Sequence, residues 1–195
     1  MTRPLRKIIL IRHAEKPIPE QGVLGVDEFG NADRRSLSVR GWQRAGALVR
    51  FFAPLHGAFA NGAIERPDAL FAASPRSKSQ RPVQTLRDVA DHLKLEIRQE
   101  FDSDADEARL IDAARSVATV ALVSWRQDSM AAFARQLVDD EVPVPDWDKR
   151  RFDVAWVFTR ERRAWHFTQV PQLLLPGDRP EGIEASSPTG ETVGG

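Results

Sequence analysis

The sequence predicts an α/β protein, a three-layer sandwich in which a central, mostly parallel mixed sheet is flanked by helices. Three observations carry this. Short, β-branched apolar runs alternate along the chain with segments of helical apolar spacing. The runs KIILI (7–11) and TVALVS (119–124) are apolar at nearly every position, as in strands covered on both faces. The chain has 195 residues, 42% of them hydrophobic, which suits one domain with a single real core.

The elements follow in order. Lys7 to Ile11 reads as a buried strand. Pro17 to Arg35, with Pro17, Pro19, Gly22, Gly25 and Gly30, reads as a long loop of the kind that carries function. Ser38 is placed as an N-cap, and Val39 to Phe52 as a helix ended by Pro54. Ala69 to Ala73 is a second strand, and Pro82 to Leu93 a helix with proline tolerated in its first turn. Glu96 to Gln99 is a third strand. Ala105 to Ser116 is a helix with Asp104 as its cap and acidic residues in its first turn. Thr119 to Ser124 is a fourth strand, and Ser129 to Val138 a helix. Val154 to Phe158 and Ala164 to Thr168 form a strand pair around the charged turn Arg160 to Arg163, adding an antiparallel edge. From Pro176 onward the chain is rich in proline and glycine and poor in apolar residues. The expected division is therefore a domain over residues 1–178 and a loosely ordered tail over 179–195.

Composition narrows the function classes. There is no cysteine, so disulfides, thiolate metal sites and a cysteine nucleophile are ruled out. Formal net charge is zero, against the basic excess expected of a dedicated nucleic-acid binder; Arg150–Arg151 and Arg160 to Arg163 are interrupted by acidic neighbours and read as a solvated hairpin. No apolar run reaches membrane-spanning or signal-core length, and the expectation is a soluble cytoplasmic protein with no nucleic-acid or membrane partner. Of the 28 basic residues, 23 are arginine, which suits general composition with a few positions left for gripping phosphate or carboxylate. The four histidines are His13, His56, His92 and His166. The last three sit at a helix end, on a helix and in a late strand, and read as surface or core residues.

In open α/β sheets, ligands bind beyond the carboxyl ends of the strands. Those ends here deliver Arg12-His13-Ala14-Glu15-Lys16, Ser74-Pro75-Arg76-Ser77 leading to Arg81, Phe101-Asp102-Ser103-Asp104, and Trp125-Arg126-Gln127-Asp128. An Arg-His pair arises easily in a chain so rich in arginine; its position at the exit of the first strand is what singles it out. A neutral imidazole can attack phosphorus, paired arginines can hold the equatorial oxygens, and a carboxylic acid can protonate the leaving oxygen. His13, Arg12 and Arg81, with one of Asp102, Asp104, Glu107 or Asp128, would supply those parts with no metal or other cofactor. The mouth of such a site is expected to draw on Pro17 to Arg35 and on the segment after Gln99.

Three blocks resemble the histidine phosphatase superfamily, the phosphoglycerate-mutase-like family with an RHG signature. ILIRHAEK (9–16) is similar to that signature, with Ala14 where glycine is usual. LSVRGWQRA (37–45) is similar to the segment opening the family's first helix, and SKSQRPVQT (77–85) to its serine-to-arginine segment followed by glutamine-threonine. The blocks cover most of residues 7 to 90. Phe152 to Phe158 and VPQLLLPGD (170–178) are similar, less specifically, to one bacterial branch. The resemblance implies His13 as the phosphate-accepting nucleophile, with Arg12 and Arg81 in the phosphate pocket.

The sequence departs from the family at its second histidine. The common pattern would put it at Trp125, and the branch reading tryptophan-x-histidine at Gln127. Trp125 matches that branch's tryptophan, so Gln127 is the favoured position. Glutamine keeps a donor and loses the charge. Asp128 falls where the acid phosphatases carry a proton-donating aspartate; it reads equally well as an N-cap of the helix from Ser129. The resemblance implies hydrolysis of a phosphomonoester, on a small metabolite or a phosphoprotein, at reduced activity. The alternative is an inactive phosphate-binding or regulatory module on the same fold. Mutase activity is disfavoured, since returning phosphate to a product demands a fully equipped pocket.

Overall fold

β1 (Lys7–Arg12) is buried at all six positions and lies inside the sheet. The structure is a computed structural model, and it describes residues 4–75, 79–102 and 106–184. Around β1 are built α1 (Val39–Phe52), β2 (Ala69–Ala73), α2 (Arg81–Leu93), β3 (Ile97–Phe101), α3 (Glu107–Val117), β4 (Val120–Trp125), α4 (Met130–Arg135), β5 (Val154–Glu161) and β6 (Ala164–Pro171). The six strands form one sheet in the order β3-β2-β4-β1-β5-β6. β1, β2, β3 and β4 are parallel to their neighbours among themselves. β5 pairs antiparallel with β1 from Lys7↔Thr159 to Ile11↔Ala155, and β6 pairs antiparallel with β5. The predicted mixed, mostly parallel sheet is the observed one.

Strand alternation divides the core into two layers. On one face Ile8, Leu10, Val123 and Trp125 pack with Leu110 and Ala114 of α3, Phe133 of α4, and Trp147 and Trp156. On the other, Ile9, Ile11 and Leu122 pack with Leu48 and Phe52 of α1 and with Leu86 and Val89 of α2. Both faces of β1 and β4 are therefore covered, which is why their sequences are continuous apolar runs. β6, at the sheet's edge, alternates exposed and half-buried positions instead.

Several boundaries differ from the sequence reading. β3 begins at Ile97 and ends at Phe101, because its position is set by pairing Leu70↔Ile97 and Ala73↔Phe101; its own residues 98–100 are exposed and carry no apolar signal. The helix expected over Ser129 to Val138 is split. A 3-10 turn takes Gln127–Ser129, and α4 stops at Arg135, after which buried Leu137 and Val138 bond back to the Ala134 carbonyl in a closing turn. Asp104, Arg76, Ser77 and Ser103 lie outside the described residues.

Residues 179–184, which follow the expected boundary, are tied to the domain by hydrogen bonds. Arg179 N–H donates to Asp153 Oδ2 at 2.8 Å, and Arg151 Nη2 and Nη1 donate to the carbonyls of Glu181 and Gly182. Ile183 is buried and exchanges two 2.8 Å hydrogen bonds with the Gln169 amide. Polar side chains of the domain hold this stretch, so its lean apolar content gave no sign of it. Residues 185–195 lie outside the described residues.

Candidate active site

The site assembles where β1 ends. His13 N–H donates to the Trp125 carbonyl at 3.1 Å, so the β1–β4 ladder runs on to the residue after the strand. Ala14 N–H then donates to Thr85 Oγ1 (2.8 Å), and that hydroxyl donates to the Arg81 carbonyl (2.7 Å), fixing the first turn of α2 against the His13 loop. Ser38 caps α1 as expected, its Oγ accepting from Gly41 N–H at 3.1 Å. Ser38 N–H also donates to the Glu15 carbonyl at 2.9 Å, so both helices on this face are anchored to the same short stretch of chain.

Below it, buried Arg44 donates to the carboxylates of Glu15 and Asp178 and to Gln172 Oε1. Burial pulls the Arg44 guanidinium down, but its hydrogen bonds to Asp178 and Glu15 outweigh that, and it is held above its ordinary value. This cluster binds the His13 loop to α1 and to the segment after β6.

A cavity of about 280 Å³ opens beyond β1 and β4. Its lining contains five of the residues the sequence singled out, Arg12, His13, Arg81, Gln127 and Asp128, together with Lys16, Ser79 and Arg126. His13 is buried, and its Nδ1 lies 2.8 Å from the Ala14 carbonyl. A carbonyl only accepts, so Nδ1 carries the proton and Nε2 keeps the lone pair. Burial, then the charge of Arg12, with Arg81 and Lys16 adding to it, pushes the imidazole down to about 3 against the opposing Ala14 hydrogen bond. The ring is neutral at pH 7.

Arg12 is 3% exposed. Its Nη1 donates to the carbonyls of Lys149 (2.7 Å) and Arg151 (3.0 Å), and its guanidinium carbon stands 3.8 Å from the centroid of the Phe152 ring. Nε has no hydrogen-bond partner among the described residues. Nη1 is thus spent on the protein, which fixes the guanidinium beside the cavity. Burial lowers Arg12 to about 10, with Glu15 acting against the shift and Arg81 with it; the group stays charged. Arg81 is oriented by the carbonyls of Ser36 (Nε, 3.3 Å) and Arg34 (Nη2, 3.1 Å), and its own pKa is lowered by burial, with Asp33 opposing and Arg126 adding to the effect. Gln127 Nε2 makes a long 3.5 Å contact with the Trp147 carbonyl.

Of the four carboxylates the sequence offered, Asp128 lines the cavity. Asp102 and Glu107 do not, and Asp104 lies outside the described residues. Asp128 caps no helix. It sits within the 3-10 turn, its side chain 60% exposed, with Oδ2 2.7 Å from Arg126 Nη2. The mouth differs from expectation as well: among the described residues, neither 17–35 nor the segment after Gln99 lines the cavity. The long loop serves the site indirectly, through the Arg34 carbonyl that holds Arg81.

Sequence reasoning did not single out Lys16, Ser79 and Arg126, although each stands in a strand-end segment or beside Arg81. The Lys149 and Arg151 carbonyls that seat Arg12 had no signal, since they are backbone atoms, and Phe152 was visible only as the start of a block of weak resemblance, with no role given to it.

No family model and no curated protein matches the chain. Solved structures do. The protein histidine phosphatase SixA complexed with tungstate aligns with a TM-score of 0.53 at 15% identity, covering 85% of this chain and 97% of that one. The ecdysone phosphate phosphatase EPPase from Bombix mori, also in complex with tungstate, aligns with a TM-score of 0.52 at 13% identity, covering 93% and 96%. The long parallel core, the antiparallel pair beside β1 and the helices on both faces are thus those of the histidine phosphatase fold.

Proposed function

We propose that the protein is a phosphomonoester hydrolase acting through a phosphohistidine at His13. The observation that carries this is the buried imidazole with its Nδ1 proton committed to the Ala14 carbonyl, in a cavity shared with Arg12 and Arg81. Nε2 attacks phosphorus as the ester P–O bond breaks, and Asp128 gives its proton to the leaving oxygen. Arg12, Arg81 and the Gln127 amide hold the equatorial oxygens. A water then attacks phosphorus, Asp128 takes its proton, the P–N bond breaks, and inorganic phosphate leaves a neutral His13. The tungstate in the two neighbouring structures is a tetrahedral oxyanion like phosphate, which supports an anion in this cavity. The substrate is a phosphorylated small molecule or a phosphoprotein.

Gln127 donates a hydrogen bond but carries no charge; losing one transition-state donor outright costs about 10²–10³ in rate at comparable sites, and the lost charge acts in the same direction. Turnover is therefore slow. A second reading, a phosphate-binding module without turnover, is favoured by the same uncharged Gln127 and by the engagement of Asp128 with Arg126. Hydrolysis of p-nitrophenyl phosphate by wild type, His13→Ala and Gln127→His separates the two. Slow turnover abolished by His13→Ala and raised by Gln127→His supports the enzyme. An idle wild type and an idle Gln127→His, with phosphate raising the melting temperature of wild type but not of Arg12→Ala, supports the binding module. No effect of phosphate on either protein removes the site assignment.

A further inference from the structure

The cavity holds more positive charge than its two phosphate arginines. Arg126 and Lys16 also line it, so among the described residues four cations and one carboxylate, Asp128, face a space of about 280 Å³. Arg126 follows β4 directly, in extended backbone (φ −93°, ψ 143°), just before the chain tightens into the 3-10 turn carrying Gln127 and Asp128. Its side chain is 19% exposed, while that of its counterion Asp128 is 60% exposed. A salt bridge serving only the surface would leave both partners in water; here the guanidinium is drawn into the cavity and the carboxylate stays at the rim. Burial lowers the Arg81 pKa, and the charge of nearby Arg126 acts in the same direction against Asp33. Gathering like charges around a small space is costly unless an anion is to be held there.

We propose that Arg126 is a third phosphoryl ligand, sharing a tetrahedral dianion with Arg12 and Arg81 and supplying the positive charge that Gln127 does not carry. The inference rests on the reading of this cavity as a phosphate site. Asp128 holds Arg126 at the rim and competes with the anion for it.

The test is titration of the full chain with inorganic phosphate and with tungstate at low ionic strength, followed calorimetrically, for wild type, Arg12→Ala, Arg126→Gln, Arg126→Lys and Asp128→Asn. Arg126→Gln is expected to weaken both anions about tenfold or more, the scale of a charged hydrogen bond. Arg126→Lys recovers part of that, and Asp128→Asn tightens binding by removing the competing carboxylate. If Arg12→Ala loses binding while Arg126→Gln stays within twofold of wild type, Arg126 is only a rim partner of Asp128, and the proposal falls while the phosphate site stands. If wild type binds neither anion, the phosphate site and this proposal fall together. Should Arg126→Gln not fold, Asp128→Asn decides, and unchanged affinity overturns the proposal.

Discussion

His13 joins chemistry to folding through one proton. The folded ring is held down to about 3, whereas an unfolded histidine titrates near 6.5. As pH falls below the unfolded value, the unfolded chain takes up a proton that the folded protein refuses until about 3. The stability contributed by the neutral ring is therefore complete above the unfolded pKa and is lost as pH drops through that window. Between pH 7 and 5 this amounts to about 2 kcal/mol. Urea unfolding at the two pH values should show the loss, and His13→Asn should flatten the difference. The residue's place was legible because it follows the strand whose character is least ambiguous. Its protonation was not, since the Ala14 carbonyl and the charges of Arg12 and Arg81 reach it only through the fold.

At the scale of elements, the His13 loop and the start of α1 touch backbone to backbone. A Cβ built on Gly41 would lie 2.4 Å from the Glu15 carbonyl oxygen, and neither side of that contact has a flexible end to yield. Gly41→Ala is expected to cost about 1–3 kcal/mol in chemical denaturation and to lower phosphate affinity by displacing the His13 loop. The glycine stands in the LSVRGWQRA block, so its place was visible in the sequence, but the reason for it was not; that reason is a close approach to a residue 26 positions earlier. α1 and α2 were legible for a local reason, the Ser38 cap and the apolar spacing that Leu48, Phe52, Leu86 and Val89 make good on one face of the sheet. α4 was over-extended because the apolar residues after Arg135 reach the core through a turn rather than through further helix.

Across the whole molecule, Arg44 connects what the sequence keeps far apart. It binds Glu15 beside the His13 loop and Asp178 beyond the last strand, and it is 2% exposed. Removing it leaves two carboxylates facing each other in a buried space. Arg44→Leu is expected to cost about 3–5 kcal/mol, read as a lowered urea midpoint. The sheet order was only partly legible. Alternation of strands and helices points to parallel pairing, but nothing in the strand sequences says that β5 would lie beside β1 and turn its amino end toward the site.

That reversed strand has a consequence for how the pocket can change. Parallel strands bring their carboxyl ends to the site, and the loops that follow are free to vary in length and chemistry. β5 instead arrives from it, and its five pairs with β1 fix how far the preceding residues stand from His13. The Lys149 and Arg151 carbonyls and the Phe152 ring are therefore placed by sheet register rather than by side-chain identity. In this seat for Arg12, drift in sequence is cheap at Lys149 and Arg151, whose backbone atoms do the holding. A gain or loss of a single residue is not, because it would slide the seat of Arg12 out of step with His13.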